Sequence, residues 1–369
     1  MSKLDRIKIK GYKSIKELDL KLTNLNVLIG ANGVGKSNFI SFLKMLNFLV
    51  REKLQLFVVK APKKADSLLF FGRKHTKEIE GKLKFGDNIY EFTLEPTEAN
   101  NLIFGHESAI YTKKGSLPKP PAFTKSGHEE TYLYKSDKES SYPWTVSSYV
   151  IKSLKNWIVY HFHDTSENAG VKQVCDITNN KALMPDASNL AAYLYLLQKI
   201  YPENYKHIVS NIQLVAPFFD DFSLRPDPIT PSSIQLEWTE KNSDAYFNAY
   251  SLSDGTLRFI CLATLLLQPK LPETIIIDEP ELGLHPYAIS VLASLIRKAS
   301  SHTQIIISTQ SVQLVDEFEP ENIIVVDREN DASVFRRLTD KMTEEELKEW
   351  LEDYSLGETW KKNVFGGRP

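Results

Sequence analysis

The sequence predicts an α/β fold with a mostly parallel core sheet, an N-terminal antiparallel β subdomain and a helical insertion. Three observations indicate this fold. An apolar run at 25–29 leads through a glycine-rich loop into an amphipathic run at 38–50, which is typical of a strand, a turn and a helix. From residue 252 onward, helical and strand patterns alternate, as in a parallel sheet covered by helices. Residues 4–10 and 15–22 alternate apolar and polar side chains, as half-buried strands do.

The composition is that of an ordinary globular protein. Of the 369 residues, 42% are hydrophobic and 25% are charged, and the formal net charge of −2 gives no global argument for a nucleic-acid or membrane partner. Residues 51–135 contain 15 Lys/Arg against 11 Asp/Glu, which predicts either a weak basic face or an ordinary solvated surface. Cys175 and Cys261 fit no metal-ligand spacing and indicate a reducing compartment. Since there is no signal-peptide core and no apolar run of about 18 residues, we expect a cytoplasmic protein without a membrane span.

The middle of the chain mixes short strands, loops and helices. The sequence predicts a loop at 60–78, two strands within 79–94, a long proline- and glycine-rich loop at 113–128, a strand at 131–134, a helix at 146–156, a buried strand at 157–162, two helices within 187–215 and a strand at 233–239. We therefore divide a single domain, 1–369, into three parts. Residues 1–60 contain the first strands, the glycine-rich loop and a helix, residues 61–250 form an inserted β-rich and helical lobe, and residues 251–369 form the remaining α/β part.

The last part has a strictly alternating pattern. The predicted order is helix 253–268, strand 274–278, helix 287–300, strand 303–308, a short helix from 311, strand 322–327 and a helix from 343. That final helix begins at Thr343 and has three glutamates in its first turn, where negative charge favours the helix dipole.

The glycine-rich loop fits the phosphate-binding motif G-x-x-x-x-G-K-[ST] at every required position. Its residues are Gly30, Ala31, Asn32, Gly33, Val34, Gly35, Lys36 and Ser37. We expect these residues and Asn38, which follows at the start of the helix, to contact the nucleotide. Glycines let backbone N–H groups surround phosphate oxygens, and the helix N-terminus adds partial positive charge. We expect Lys36 to reach the β- and γ-phosphates and Ser37 to hold Mg2+. The alternative is a chance glycine-rich turn.

Two acids follow an entirely apolar strand. Residues 274–280 have the sequence Thr-Ile-Ile-Ile-Asp-Glu-Pro, so Asp278 and Glu279 lie at the carboxyl end of a strand, where open α/β sheets bind ligands. We expect Asp278 to hold Mg2+ directly or through water. Glu279 would polarise the attacking water and accept its proton. The alternative is a strand that ends in surface acids.

A Leu-Ser-Asp-Gly segment precedes the apolar helix at 259–267. Ser253 is well placed as a helix N-cap, and Gly255 permits a close backbone approach. The segment is therefore either only a helix cap or a second γ-phosphate site, formed by the helix N-terminus with Ser253 and Gly255.

In this order the three motifs resemble those of the ABC-type ATPases. The opening Ile-Lys-Gly-Tyr-Lys-Ser at 9–14 and the glycine-rich loop resemble the RecF, SMC and OLD branch rather than transporter subunits. The segments Glu-Leu-Gly-Leu-His-Pro at 281–286, Ile-Ile-Ser-Thr-Gln-Ser at 306–311 and Gly-Gly-Arg-Pro at 366–369 are similar to compact ATPases grouped with the OLD proteins. The resemblance covers the two ends of the chain, and residues 60–250 resemble the family only in outline.

The resemblance implies an ABC-type P-loop ATPase head that uses ATP and Mg2+ in an ATP-dependent homodimer. In such dimers each ATP lies between the phosphate loop of one head and the Leu-Ser-x-Gly of the other. Carried over, residues 30–37 and the two acids act within one chain, whereas Ser253 and Gly255 act from the other. Lys13 and Ser14 match the family's N-terminal nucleotide contact, although an exposed hairpin lysine is the alternative for Lys13.

The chain departs from the family at two positions. Gln310 stands where the family has a switch histidine, and a glutamine cannot change its charge but can hydrogen-bond the γ-phosphate or orient water. We therefore expect Gln310 to act with the catalytic candidates Glu279 and Lys36, and we expect slower or more tightly gated hydrolysis. His285 stands where many relatives have an acidic residue across the dimer interface.

The family's glutamine loop, which senses Mg2+, has no obvious counterpart. The candidate segment is 161–166, at the end of the predicted strand 157–162. His161 and His163 share one face of that strand and are either metal ligands or, as the lack of a third ligand favours, structural histidines. His163 or Asp164 is the candidate for a residue near the nucleotide.

The leading functional hypothesis is an ATP-hydrolysing switch in DNA repair or anti-phage defence. ATP held between two heads would change the dimer geometry, and hydrolysis would release it. Because the chain after its last strand is too short for the nuclease domain of OLD proteins, we expect DNA or a separate nuclease or effector protein as the partner. The alternatives are an energy-coupling ATP-binding subunit of a transporter and an ATP-dependent binding module with negligible turnover.

Overall fold

The computed structural model describes residues 3–112, 120–140 and 145–368. The strands are β1 Arg6–Tyr12, β2 Ile15–Lys21, β3 Leu25–Ile29, β4 Ile79–Phe85, β5 Asn88–Pro96, β6 Leu102–Tyr111, β7 Phe123–Lys125, β8 Trp157–Tyr160, β9 Cys175–Asp176, β10 Phe219–Phe222, β11 Ser233–Ile234, β12 Glu237–Glu240, β13 Tyr246–Asn248, β14 Thr274–Asp278, β15 Gln304–Thr309, β16 Ile323–Glu329 and β17 Ala332–Arg337. The helices are α1 Lys36–Val50, α2 Leu54–Lys60, α3 Leu133–Glu139, α4 Val146–Lys155, α5 Leu190–Ile200, α6 Pro202–Val215, α7 Asp254–Leu267, α8 Pro286–Ser300, α9 Val312–Val315, α10 Leu338–Lys341, α11 Glu344–Asp353 and α12 Leu356–Lys361.

The core is a six-stranded sheet in the order β17-β16-β3-β15-β14-β8. The strands from β16 to β8 are parallel to their neighbours, and β17 is antiparallel at the edge. Ile276 of β14 pairs with Ile306 of β15, which in turn pairs with Asn26 of β3. Since only β15 separates β3 from β14, the glycine-rich loop and the two acids emerge at the same edge of the sheet.

Successive residues of the core strands face opposite apolar layers. Ile275 and Ile277 belong to the layer that contains α5, α7 and α8, whereas Ile276 belongs to the layer that contains α1 and the antiparallel sheet. All three side chains are at most 2% exposed. Both faces of the sheet are covered, so the strands need no polar face, and this accounts for the unbroken isoleucine run.

A second six-stranded sheet is antiparallel, in the order β2-β1-β4-β5-β6-β7. It covers α1, whose predicted apolar face of Phe39, Leu43, Leu46 and Leu49 is fully buried. Strands from both sides of residue 60 share this sheet, and β8 from the middle of the chain completes the core sheet. The division of the chain at residues 60 and 250 stays a prediction.

The predicted fold class is confirmed, with a parallel-rich core sheet and an antiparallel sheet built on the first two strands. Most of the predicted elements are present, and their ends differ from the predicted ends by a few residues. They are the paired strands within 79–94, the helices within 146–156 and 187–215, and the alternating elements from 253 to 327. Thr343 caps α11 in a capping box with Glu346. No helix among the described residues is long and apolar enough to cross a membrane.

The strand predicted at 131–134 is wrong. The Thr131 hydroxyl and the Tyr132 N–H donate to the carboxylate of Glu107, at 2.5 and 2.8 Å, and Glu107 is completely buried. These bonds turn the chain into α3, which begins at Leu133. The aromatic residues of this segment favour a strand, but the hydrogen bonds to the distant Glu107 carboxylate turn the chain into a helix instead.

The strand predicted at 233–239 is two short strands in different sheets. Ile234, Leu236 and Trp238 are all buried, so the predicted alternation is present. The backbone changes partners within it, because β11 pairs with β9 whereas β12 pairs with β10 and β13. Of the loop predicted at 113–128, residues 113–119 lie outside the described residues, and the rest contains β7.

Candidate nucleotide-binding site

The glycine-rich loop surrounds the N-terminus of α1. Gly35 precedes the helix with φ 117°, and among the described residues no side chain caps this end. A Cβ on Gly35 would collide with the Ser333 hydroxyl, and a Cβ on Gly30 would collide with the carbonyl of Val326. Both positions therefore require glycine. An uncapped helix N-terminus inside such a loop is a geometry that binds phosphate.

Lys36 connects the loop to the acids. Its side chain is 5% exposed, and its ammonium group donates to the carbonyls of Gly30 (2.5 Å) and Ala31 (3.0 Å). Burial lowers the pKa of Lys36, and the negative charges of Glu279 and Asp278 act in the opposite direction. Because β3 and β14 end at the same edge of the sheet, the loop that holds Lys36 and the two acids lie at one site.

Asp278 is held from the strands on both sides. The Ser308 hydroxyl of β15 donates to Oδ1 of Asp278. On the other side His163, which follows β8, donates from Nε2 to the Asp278 backbone carbonyl at 2.7 Å. A carbonyl only accepts, so Nε2 of His163 carries the proton. The result is an oriented carboxylate beside a phosphate-binding loop, which is the kind of ligand that Mg2+ prefers.

Glu279 leaves the end of β14 in a left-handed turn. Its φ of 43° is uncommon for a residue other than glycine. Its N–H donates to the Ser308 carbonyl at 2.8 Å, and its carboxylate accepts a hydrogen bond from the side-chain amide of Gln310. The two residues predicted to handle water are therefore in direct contact, and strained backbone of this kind is often found at functional sites.

Glu281 organises the residues that follow β15. One of its oxygens, Oε1, accepts from the Thr309 hydroxyl (2.5 Å) and from the Gln310 N–H (3.2 Å). The residue is 9% exposed, and its other oxygen has no hydrogen-bond partner among the described residues. Burial raises the pKa of Glu281 above the usual value for a glutamate. Glu281 thus fixes the backbone of Gln310, whose side chain in turn contacts Glu279.

Lys13 and Ser14 lie behind the loop. The Lys13 ammonium group donates to the Ser41 hydroxyl at 2.7 Å, and burial lowers the pKa of Lys13. Because Lys13 is half-buried, the alternative of an exposed hairpin lysine is wrong. The Ser14 hydroxyl accepts from the Asn38 amide at 2.7 Å and lies 2.6 Å from the Ser333 hydroxyl. The nucleotide contacts of Lys13, Ser14 and Asn38 stay predictions.

The Leu-Ser-Asp-Gly segment begins α7 as predicted. The exposed Ser253 accepts from the Thr256 N–H at 3.2 Å and is the N-cap. A Cβ on Gly255 would collide with the carbonyl of Gly283, so the close backbone approach at Gly255 is to its own chain. The helix cap is present, and a second phosphate site at Ser253 and Gly255 stays a prediction.

Arg258 connects the same helix to the acid-bearing segments. Its guanidinium group donates to three backbone carbonyls, those of Phe162 (3.2 Å), His163 (2.8 Å) and Leu282 (2.8 Å). Five donors in a rigid plane allow arginine to bridge several acceptors at once. The start of α7, the end of β8 and the turn after Glu279 are therefore one connected unit.

A family model described as "AAA domain, putative AbiEii toxin, Type IV TA system" matches residues 25–316. The chain belongs to this AAA-domain family. The matched range begins with β3 and ends just after α9, so it includes the phosphate loop, the two acids and Gln310.

Relatives of known name agree with an ABC-like P-loop ATPase. The chain is 24% identical over 290 residues to the phosphate import ATP-binding protein PstB of Staphylococcus saprophyticus, across 67% of this chain and 97% of that protein. It is 27% identical over 113 residues to PstB of Desulfitobacterium hafniense, across 29% of this chain and 43% of that protein.

The fold is similar to two solved structures of Smc heads. The Smc head bound to the C-winged helix domain of ScpA has a TM-score of 0.56 at 15% identity, with 94% of this chain and 99% of that chain covered. The Pyrococcus furiosus Smc head domain with an extended coiled coil, bound to the C-terminal domain of ScpA, has a TM-score of 0.53 at 16% identity, with 96% and 99% covered. At these identities the likeness is one of fold.

The candidate site contains side chains for which the sequence predicted no role. They are Glu281, Ser308, Ser333 and Arg258. Arg258 could have been found from the sequence, because it is a charged residue at the start of an apolar helix. Glu281 could have been found as a second glutamate close to Glu279. Ser333 had no local signal, because its role depends on β17 lying beside the loop.

The histidine candidates lie in different surroundings. His163 contacts the Asp278 backbone as described. His161 is partly buried, and burial lowers its pKa. Asp164 is exposed and accepts from the Ser166 hydroxyl at 2.7 Å. His285 is exposed and caps α8 through Nδ1. Of the candidates for a residue beside the acids, the structure therefore favours His163.

Proposed function

We propose that this chain binds and hydrolyses ATP with Mg2+ and works as a nucleotide-gated dimeric switch. The observation that supports this most is that the phosphate loop and the two acids follow β3 and β14 at the same edge of the core sheet, with Gln310 in contact with Glu279. The loop and Lys36 would bind the phosphates, and Glu279 would accept the proton of the attacking water while Gln310 orients it. Mg2+ would be held by Ser37 and Asp278, where it would neutralise phosphate charge.

The homodimer would complete each site with Ser253 and Gly255 of the second chain, as the resemblance to ABC-type ATPases implies. Two exposed apolar side chains between β14 and the first turn of α8 support this arrangement. Leu282 is 44% exposed and Tyr287 is 53% exposed, and Leu282 is joined to α7 through Arg258. Exposed apolar side chains around a polar segment are typical of a surface that binds another protein.

The decisive experiment compares wild type with Glu279→Gln. The amide cannot accept the water proton, so we expect the variant to bind ATP, to lose single-turnover hydrolysis and to accumulate as a dimer in light scattering. Glu203→Gln, on the exposed surface of α6, is a matched control that should behave like wild type. A Glu279→Gln protein that stays monomeric with ATP and Mg2+ would count against the dimer. Equal, negligible turnover in wild type and variant would favour the ATP-dependent binding module.

For the biological role we propose anti-phage defence or DNA repair, with a separate nuclease or effector protein as partner. The family description, which includes a putative toxin of a type IV toxin–antitoxin system, supports defence. The resemblance to compact OLD-like ATPases points the same way. A nuclease gene beside this one would support it further, whereas DNA cleavage by the purified chain with Mg2+ would contradict the separate nuclease.

The candidate surface for DNA is the region of residues 51–135. Residues 51–135 are slightly basic, but Lys82 and Arg73 are paired with Glu91 and Asp66 at 2.7 and 2.5 Å. Pairing of this kind leaves less free positive charge for phosphates. If DNA binds through its phosphates, the affinity should fall steeply as salt rises, and salt-independent binding would exclude that mode.

A transporter subunit is the second candidate, favoured by the match to PstB along 97% of that protein. The antiparallel strands β4 to β7, within residues 79–125, and Gln310 in place of a histidine argue against it. Co-purification of the chain with a membrane fraction would support the transporter role over the defence role.

A further inference from the structure

The segment after α12 is anchored to the core beside the phosphate loop. Trp360 is completely buried, and its indole N–H donates to the carbonyl of Gly367. Phe365 is 1% exposed and lies in the same apolar layer as Val325 of β16. Residues 365–368, which we call the Gly-Gly turn, are therefore held by two large aromatic side chains.

Asp327, near the end of β16, fixes the backbone of the turn. Its Oδ1 accepts from the Gly367 N–H at 2.6 Å, and its Oδ2 accepts from the Lys341 ammonium group at 3.1 Å. Gly366 and Gly367 have φ of 80° and 66°, and a Cβ on Gly366 would lie 2.7 Å from Oδ2 of Asp327. The turn therefore needs both glycines, for conformation and for space.

The Gly-Gly turn lies close to the phosphate loop. A Cβ on Gly367 would lie 3.7 Å from the Cα of Gly30, which is van der Waals distance, and 2.7 Å from Cγ1 of Val325. Gly30 is also the residue whose carbonyl accepts from Lys36. The turn thus lies close to the part of the loop where the cation for the β- and γ-phosphates is held, and the next residue, Arg368, is exposed.

We propose that Arg368 is a nucleotide-binding residue that contacts the β- and γ-phosphates from beside Gly30. The proposal rests on ATP binding at the phosphate loop, as proposed above. Asp278, Glu279 and Glu281 stand at and just after the end of β14, at the sheet edge where the phosphate loop begins, so a triphosphate enters a site that already contains three acidic groups. A guanidinium group on a rigid turn supplies the charge and the paired N–H donors that match phosphate oxygens.

The test measures the affinities of wild type, Arg368→Ala and Arg368→Lys for ATP, ADP and AMP with Mg2+. A hydrogen bond to a charged group is worth about 1.5–3 kcal/mol, so Arg368→Ala should weaken ATP binding about tenfold to about a hundredfold. The loss should be smaller for AMP, and the lysine variant should be intermediate. Arg225→Ala, an exposed arginine paired with Glu237, is the matched control and should bind like wild type. The unfolding midpoint of Arg368→Ala should equal that of wild type.

The outcomes separate this inference from the proposed function. If wild type does not bind ATP, or if Lys36→Ala binds it equally well, the phosphate site itself is refuted. If Lys36→Ala loses ATP but Arg368→Ala stays within about twofold of wild type, the turn only braces the loop and the role of Arg368 is overturned. Equal losses for ATP and AMP, together with a lowered unfolding midpoint, would also overturn it, since that pattern reports a structural defect.

Discussion

Replacing Glu281 with alanine tests how the water-handling residues are held. The substitution removes the acceptor of the Thr309 hydroxyl and of the Gln310 N–H. Thr309 is completely buried, and a buried donor without a partner costs about 1–3 kcal/mol. Gln310 is half-buried and can reach water, so it adds less. We therefore expect Glu281→Ala to lower the free energy of unfolding by about 2 kcal/mol.

The same substitution should reduce ATP turnover more than ATP affinity. The Gln310 backbone would no longer be fixed, so its side-chain amide would lose its place on Glu279. Urea unfolding followed by tryptophan fluorescence gives the free energy of unfolding. Hydrolysis assays give the ATP turnover, and nucleotide-binding measurements give the ATP affinity. Glu281→Gln, which keeps an oxygen acceptor, should retain more stability and more turnover than Glu281→Ala. A Glu281→Ala protein with wild-type stability and turnover would refute the reasoning.

The pH dependence gives a second, independent check on Glu281. Burial raises the pKa of Glu281 in the folded state, so between the unfolded and folded pKa values the folded state binds more protons. Its contribution to stability is therefore complete below the unfolded pKa and is lost as the pH rises through the folded pKa. Glu281→Gln does not titrate, so its stability relative to wild type should increase over that pH range. If the difference in unfolding free energy between the variant and wild type did not change with pH, the carboxylate would ionise equally readily in the folded and unfolded states.

Two further substitutions test the neighbouring contacts. Gln310→Ala removes the amide that contacts Glu279, so single-turnover hydrolysis should fall about tenfold or more while ATP affinity holds; unchanged hydrolysis would show that Gln310 does not orient the water. Gly255→Ala would force the start of α7 away from the Gly283 carbonyl. We expect it to abolish ATP-dependent dimerisation in light scattering and to leave the nucleotide affinity of the monomer intact, and a wild-type dimer would place Gly255 outside the interface.

The elements that the sequence predicts well are those whose required residue types follow one another in the chain, even where the physical cause lies far away in the sequence. The isoleucine run before Asp278 needs two covered faces, which only the centre of a parallel sheet supplies. The phosphate loop needs glycine at Gly30 and Gly35 because Val326 and Ser333 leave no room for a Cβ. In both cases the required residue types are adjacent in the chain, and no long-range knowledge is needed.

The edge strand β17 is preceded by a turn that the sequence could have indicated. Asn330 and Asp331 both have positive φ, at 48° and 62°, between β16 and β17. Two such residues in a two-residue connection are typical of a type I′ hairpin turn, for which asparagine and aspartate are favoured. Recognising that turn would have predicted β17. The contact of Ser333 with Ser14 and Val34 would still have been hidden, because these residues lie more than 290 positions apart.

The contacts of α7 connect the Leu-Ser-Asp-Gly segment to the two acids within one chain. Gly255 packs on Gly283, and Arg258 joins the helix to the carbonyls of His163 and Leu282. His163 in turn holds the Asp278 backbone. If α7 of one head binds the ATP of its partner, a shift of that helix acts on carbonyls next to its own acids. Two sites that bias the same packed unit are coupled in both directions, so each head would sense, through Arg258, whether the opposite site is occupied.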